Sequence, residues 1–97
     1  MSSPAYGWWS YAKHMARRWP DRLNENEYAA VAAAIAETER RTNGADRMQI
    51  ARMVLIEGSH TLEGAALTIP CSLRTAQRWH ADFLHAVARN FKCDGLH

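Results

Sequence analysis

The side chains best equipped for chemistry in this 97-residue chain lie in one short stretch: Ser72, Arg74, Thr75, Gln77, Arg78 and His80. An arginine fork can bond two guanine acceptors at once, and a glutamine amide can bond adenine in the same paired way. A serine at a helix start, beside backbone N–H groups that have no intrahelical partner, can hold a phosphate. These groups read a surface; they do not make or break bonds. No nucleophile elbow, phosphate-binding glycine loop or paired-carboxylate motif occurs, so an enzyme is not expected. Five histidines and two cysteines raise the question of zinc. Cys71, His80 and His85 share a region, and Cys93 and His97 lie at the end, but no CxxC or HxxxH pair supplies the usual ligand spacing. No metal and no other cofactor is expected.

Reading groups need a rigid carrier, and the pattern around them predicts one. Ser72 caps a long helix from Leu73 to about Phe91, with Ala76, Trp79, Phe83 and Val87 as its inward stripe and Leu84 and Phe91 assisting. Arg74, Thr75, Gln77, Arg78 and His80 are then left pointing outward. Thr61 caps a short helix from Leu62 to Thr68, with Glu63 near its positive end. Small residues (Gly64, Ala65, Ala66) let that helix cross closely, and Ile69 and Cys71 are placed to plug the turn. Two such helices suit the DNA major groove: one enters with its first turns on the bases, and the other braces it on the backbone. Arg89 and Lys92 lie about four turns further along and reach backbone at most. Pro70 stands where many turns of this kind carry glycine, and it cannot supply a left-handed residue.

The rest of the chain also reads as helix. No run alternates like a strand, and apolar residues recur at three and four. A first helix is expected from about Ala5 to Trp19, with Trp8, Tyr11 or Ala12, Met15 and Trp19 on one stripe and Pro20 as its stop. A second starts near Asn24, whose spacing to Glu27 makes a capping box, and buries Tyr28, Val31, Ile35 and Thr38. Asn43-Gly44 reads as its stop. A third runs from about Asp46 to Glu57, with Asp46 and Gln49 at capping-box spacing and Ile50, Ala51, Val54 and Leu55 on its apolar face; Gly58 ends it. The expectation is one all-α domain over residues 1–97, of about five helices. Residues 1–44 would serve oligomerisation or a polymerase contact, and residues 45–92 would form the C-terminal helix-turn-helix with its long final helix. Trp8 and Trp9 are adjacent, so one helix cannot bury both on one face, which leaves one for a second copy of the chain or for RNA polymerase.

The net charge of +2 is mild, but its distribution is not even. Residues 1–20 carry +3 through Lys13, Arg17 and Arg18, residues 21–44 carry −2, residues 45–71 carry −1, and residues 72–92 carry +3. Basic groups gathered at the first and last helical segments suit a polyanion. Met1-Ser2-Ser3-Pro4 lacks the basic start and apolar run of a signal peptide, and the longest apolar-rich stretch, Tyr28 to Ala36, is too short to span a membrane. An intracellular protein with reduced thiols, not membrane-bound, is expected.

The segment HTLEGAALTIPCSLRTAQRWHADFLHAVARNF resembles the helix-turn-helix of sigma-factor region 4: a Thr-Leu-Glu element, a serine cap and an arginine-rich recognition helix. The whole chain resembles the small phage transcriptional activators of the RinA/ArpU type, through an aromatic, basic first helix ending in RRWP, an acidic middle helix and the TLEGAA segment followed by SLRTAQRW. The resemblance implies sequence-specific binding to double-stranded DNA near a phage or prophage promoter and activation of late or structural genes, which sets the expected place as the cytoplasm of a bacterial host cell. It places Ser72 at the cap and Arg74, Thr75, Gln77 and Arg78 at the groove. Two other functions fit the same residues: a small terminase-like DNA-packaging recogniser, and a helical adaptor that binds only protein.

Overall fold

Caps and breakers set most helix boundaries of the computed structural model, which describes the backbone of residues 4–95 and the side chains of residues 8–91. Helix α1 spans Pro4–Arg18 and stops just before Trp19-Pro20. Helix α2 spans Glu25–Glu39. The Asn24 side chain accepts the Glu27 N–H at 2.8 Å, and the Glu27 carboxylate accepts the Asn24 N–H at 3.1 Å, so the expected capping box is formed. The other Glu27 oxygen accepts the Tyr11 hydroxyl at 2.5 Å, which ties α1 to the start of α2.

Helix α3 spans Gly44–Ala51 and continues into a π-helical segment, Arg52–Ile56. Its start corrects the expectation from Asp46 and Gln49: the cap position is Asn43, with no side-chain cap bond. Asn43, not Gly44, takes the left-handed conformation, at φ 60°. Gly44 is needed for another reason. A Cβ there would lie 2.3 Å from the Glu39 carbonyl oxygen, so only glycine lets the end of α2 and the start of α3 meet so closely. Gly58 does end the π segment, at φ 65°, and turns the chain so that the Ser59 and His60 N–H groups both reach the Met53 carbonyl. Helix α4 spans Leu62–Thr68, and α5 spans Leu73–Gly95, a full turn beyond the expected end. The described residues hold five α-helices and no strand, an all-α fold.

The buried side chains form two clusters. The larger joins Ala12 and Met15 of α1, Val31 and Ala34 of α2, and Phe83 and Val87 of α5, among others. The smaller joins Ile50 and Met53 to Ala65 and Ala66 of α4 and to Ala76 and Trp79 of α5. Helix α5 thus belongs to both: its first half packs on α4 and its second half on α1 and α2. Helices α1 and α2 therefore share a core with α5. The Arg89 guanidinium donates to the Glu37 carboxylate, fastening the far half of α5 to α2 and engaging a cation expected to reach DNA backbone at most. Tyr28, expected in the α2 stripe, is 46% exposed and stacks on Trp19, with ring centroids 4.5 Å apart. The alanines explain this. Ala30 and Ala34 are buried, so α2 approaches its neighbours on a face rotated from Tyr28.

Candidate functional site

The informative site is the pair α4 and α5 with the turn between them. Thr61 caps α4 as expected, its hydroxyl accepting the Gly64 N–H at 3.1 Å. Helix α4 ends at Thr68, and Ile69 turns extended, at φ −96° and ψ 114°. Pro70 accounts for this, because its ring excludes helical geometry in the residue before it. The turn holds no residue of positive φ, in keeping with the missing glycine. Ile69 and Cys71 are half-buried against the smaller core cluster and plug the turn. Ser72 then opens α5: its Oγ accepts the Thr75 N–H at 3.1 Å and donates to the Thr75 hydroxyl at 3.0 Å.

The residues named from sequence divide into three groups here. Arg74, Gln77 and Arg78 are exposed on the first two turns of α5, and their spacing of three, four and one puts them on one side of the helix. None of the described carboxylates lies within 4 Å of either arginine. Ser72 and Thr75 form the cap, and Thr75 is half-buried with its hydroxyl committed to Ser72. His80 is a correction. It is 8% exposed and turned inward, its ring 6.0 Å from that of Trp9. Burial pushes its pKa down to about 4, with the positive charges of Lys13 and Arg17 adding to the effect. A signal for this was present in the sequence: His80 stands four residues after Ala76, three before Phe83 and four before Leu84, which is the spacing of the buried stripe.

Two features of the site are absent from the sequence reading. Asp82, the one carboxylate of residues 72–92, stands four residues beyond Arg78 and eight beyond Arg74, on the same side of α5. It accepts from Arg47 of α3 at 3.0 Å, and the Arg41 guanidinium stands 3.7 Å away. The same Arg47 lies 5.5 Å from the centre of the Trp79 ring. The charge that would most repel a polyanion, one turn beyond Arg78, is thereby neutralised. Partners 35 residues apart in sequence leave no local signal of such a pair. The second feature is the packing of α1 on α5. The Trp8 ring lies 4.9 Å from that of His85, and Trp9 meets both His80 and His85. Both tryptophans are half-buried, so each finds a partner in this chain despite their adjacency.

Among the described residues no group of three or more His, Cys, Asp or Glu side chains is arranged to hold a metal ion. Cys93 and His97, weighed above as ligands, and Lys92 have side chains outside the described residues. No described helix is long and apolar enough to cross a membrane. Comparison of the chain with protein-family models, with curated proteins and with solved structures returned no match.

Proposed function

We propose that this chain is a sequence-specific duplex-DNA-binding protein that regulates transcription, with α4 and α5 acting as a helix-turn-helix. One observation carries the reading: Arg74, Gln77 and Arg78 stand exposed on the first two turns of a helix whose opposite face is locked into the core. A helix of this kind fits the major groove, which is about 12 Å wide, and its first turns then face the base edges. Arg74 and Arg78 are suited to guanine and Gln77 to adenine. Helix α4 braces the reading helix, and Ser72 at the head of α5 meets the backbone. The role as an activator of phage or prophage late genes in a bacterial cytoplasm rests on the resemblance to the RinA/ArpU type, and RNA polymerase or a second copy as partner rests on the aromatic first helix.

Selection of bound duplexes from a random-sequence pool tests the proposal. Enrichment of one motif containing guanine and adenine steps is the expected outcome. Failure to retain any duplex at low salt, where phosphate contacts are strongest, would exclude DNA binding and favour a protein-binding adaptor. A genomic binding profile with a peak upstream of late genes supports the activator role; a peak at a packaging site would replace it.

A further inference from the structure

Helix α1 carries a line of side chains that the reading helix does not account for. Trp9, Lys13 and Arg17 are spaced by four and so lie along one side of α1. At one end of the line, the Trp9 ring sits 6.0 Å from His80 of α5. At the other, Arg17 lines a cleft of about 500 Å³ with His60 and Thr61, at the start of α4. The line therefore runs from beside the middle of α5 to the cleft that opens at the head of α4. His80 and Gln77 are one turn apart on α5, so the Lys13 region flanks the edge on which Gln77 is exposed.

Charge and position together mark this line. Arg41 and Arg47 share the Asp82 carboxylate, and Arg89 pairs with Glu37. Arg18, the next residue on α1, acts on Glu27 and helps hold its carboxyl low, although the Tyr11 hydrogen bond is the main cause. Lys13 and Arg17, like Arg18, Arg22, Arg40 and Arg52, have no described carboxylate within 4 Å; what sets the pair apart is its alignment beside α5. Their field instead reaches α5, where it adds to the burial that keeps His80 neutral. Two cations aligned beside α5 suit a duplex, whose charged strands flank the groove on both sides.

We infer that Lys13 and Arg17 bind the phosphate backbone of duplex DNA beside the groove read by α5, making α1 a sequence-independent clamp. This rests on the DNA-binding reading and adds a second, separable contact to it. A backbone clamp contributes to affinity without discriminating sequences, and its signature is salt dependence: each phosphate contact adds about 0.9 to the slope of log affinity against log salt.

The full chain is titrated with a random-sequence duplex between roughly 50 and 200 mM salt. The double variant Lys13→Gln, Arg17→Gln is expected to lose between about one and two units of slope. The charge-retaining variant Lys13→Arg, Arg17→Lys is expected to keep the slope, and Arg18→Gln to leave it near that of the unchanged chain. Circular dichroism checks that each variant is folded. A double variant that is folded and binds with an unchanged slope overturns the clamp alone. An Arg18→Gln variant that loses as much slope per charge overturns it too, because the effect would then be general positive charge and not this line. An unchanged chain that binds no duplex at low salt overturns the underlying DNA-binding reading instead. Tighter binding to polyglutamate than to duplex would assign the line to an acidic protein and overturn the clamp.

Discussion

A side chain's surroundings decide its role more than its type does, and Arg78 and His80 show this within one turn of α5. Arg78 is exposed and has no carboxylate partner, so its fork is available. Its replacement by alanine should weaken binding to the selected sequence by about 1–3 kcal/mol while leaving random DNA nearly unaffected. Competition titrations with both duplexes check this, and equal losses on the two would make Arg78 a phosphate contact. His80 is buried and neutral, with a pKa of about 4 against the ordinary value of 6.5. Because the folded value is the lower one, the unfolded chain binds more protons between these two pH values. Its contribution to stability is therefore complete above about pH 6.5 and is lost as the pH falls through 4. The shift corresponds to about 3 kcal/mol, and solvent screening at the ring edge reduces that to about 2. Urea unfolding from pH 7 down to about pH 4 should show the loss, and His80→Gln should flatten it.

At the scale of elements, the close approach of α2 and α3 depends on a missing side chain. Gly44→Ala would place a methyl group 2.3 Å from the Glu39 carbonyl oxygen, a backbone atom that cannot turn aside. The expected cost is roughly 1–3 kcal/mol, visible as a lower melting temperature with the helical spectrum retained. Asn43→Gly, at the left-handed position beside it, should be mildly stabilising or neutral by the same measure. This corner also shows where sequence reasoning stops. Caps declared by local residue type and spacing were legible: the Asn24–Glu27 box, and Thr61 and Ser72, whose hydroxyls accept the Gly64 and Thr75 N–H groups. Asp46 and Gln49 have the same spacing, yet α3 starts at Gly44 because tertiary contact, not a local hydrogen bond, sets that boundary. The exposed face of Arg74, Gln77 and Arg78 was legible from helical period, since the anchors Ala76 and Trp79 fix it. The pairing of Asp82 with Arg47 and the line of α1 beside α5 were not, because both depend on how distant helices cross.

The whole molecule has a radius of gyration of 13.0 Å, close to the value of about 13 Å that a single body of about 100 residues takes. Its two core clusters meet along α5, and Phe83, which is fully buried, stands where the helix passes from one toward the other. Phe83→Ala should remove about 3–5 kcal/mol and lower the stability of both halves together, because neither cluster keeps its geometry without the helix. Near-ultraviolet signals from the tryptophans of α1 and the amide exchange of α4 should then weaken at the same denaturant concentration. Loss of one before the other would show that the halves unfold separately.

Because α5 runs unbroken from the exposed arginines to the Glu37 pairing, it behaves as a keyed shaft. Each residue of an α-helix advances the azimuth by about 100°, so one alanine inserted between Ala81 and Asp82 would rotate Arg74, Gln77 and Arg78 by that angle against Phe83 and Val87. Composition, net charge and helix content would barely change. The cluster around Trp79 and the one around Val87 could no longer both be seated, and the reading face would point elsewhere. The angular aim of the groove-facing side chains is thus set a turn or two away from them, by residues that touch no ligand.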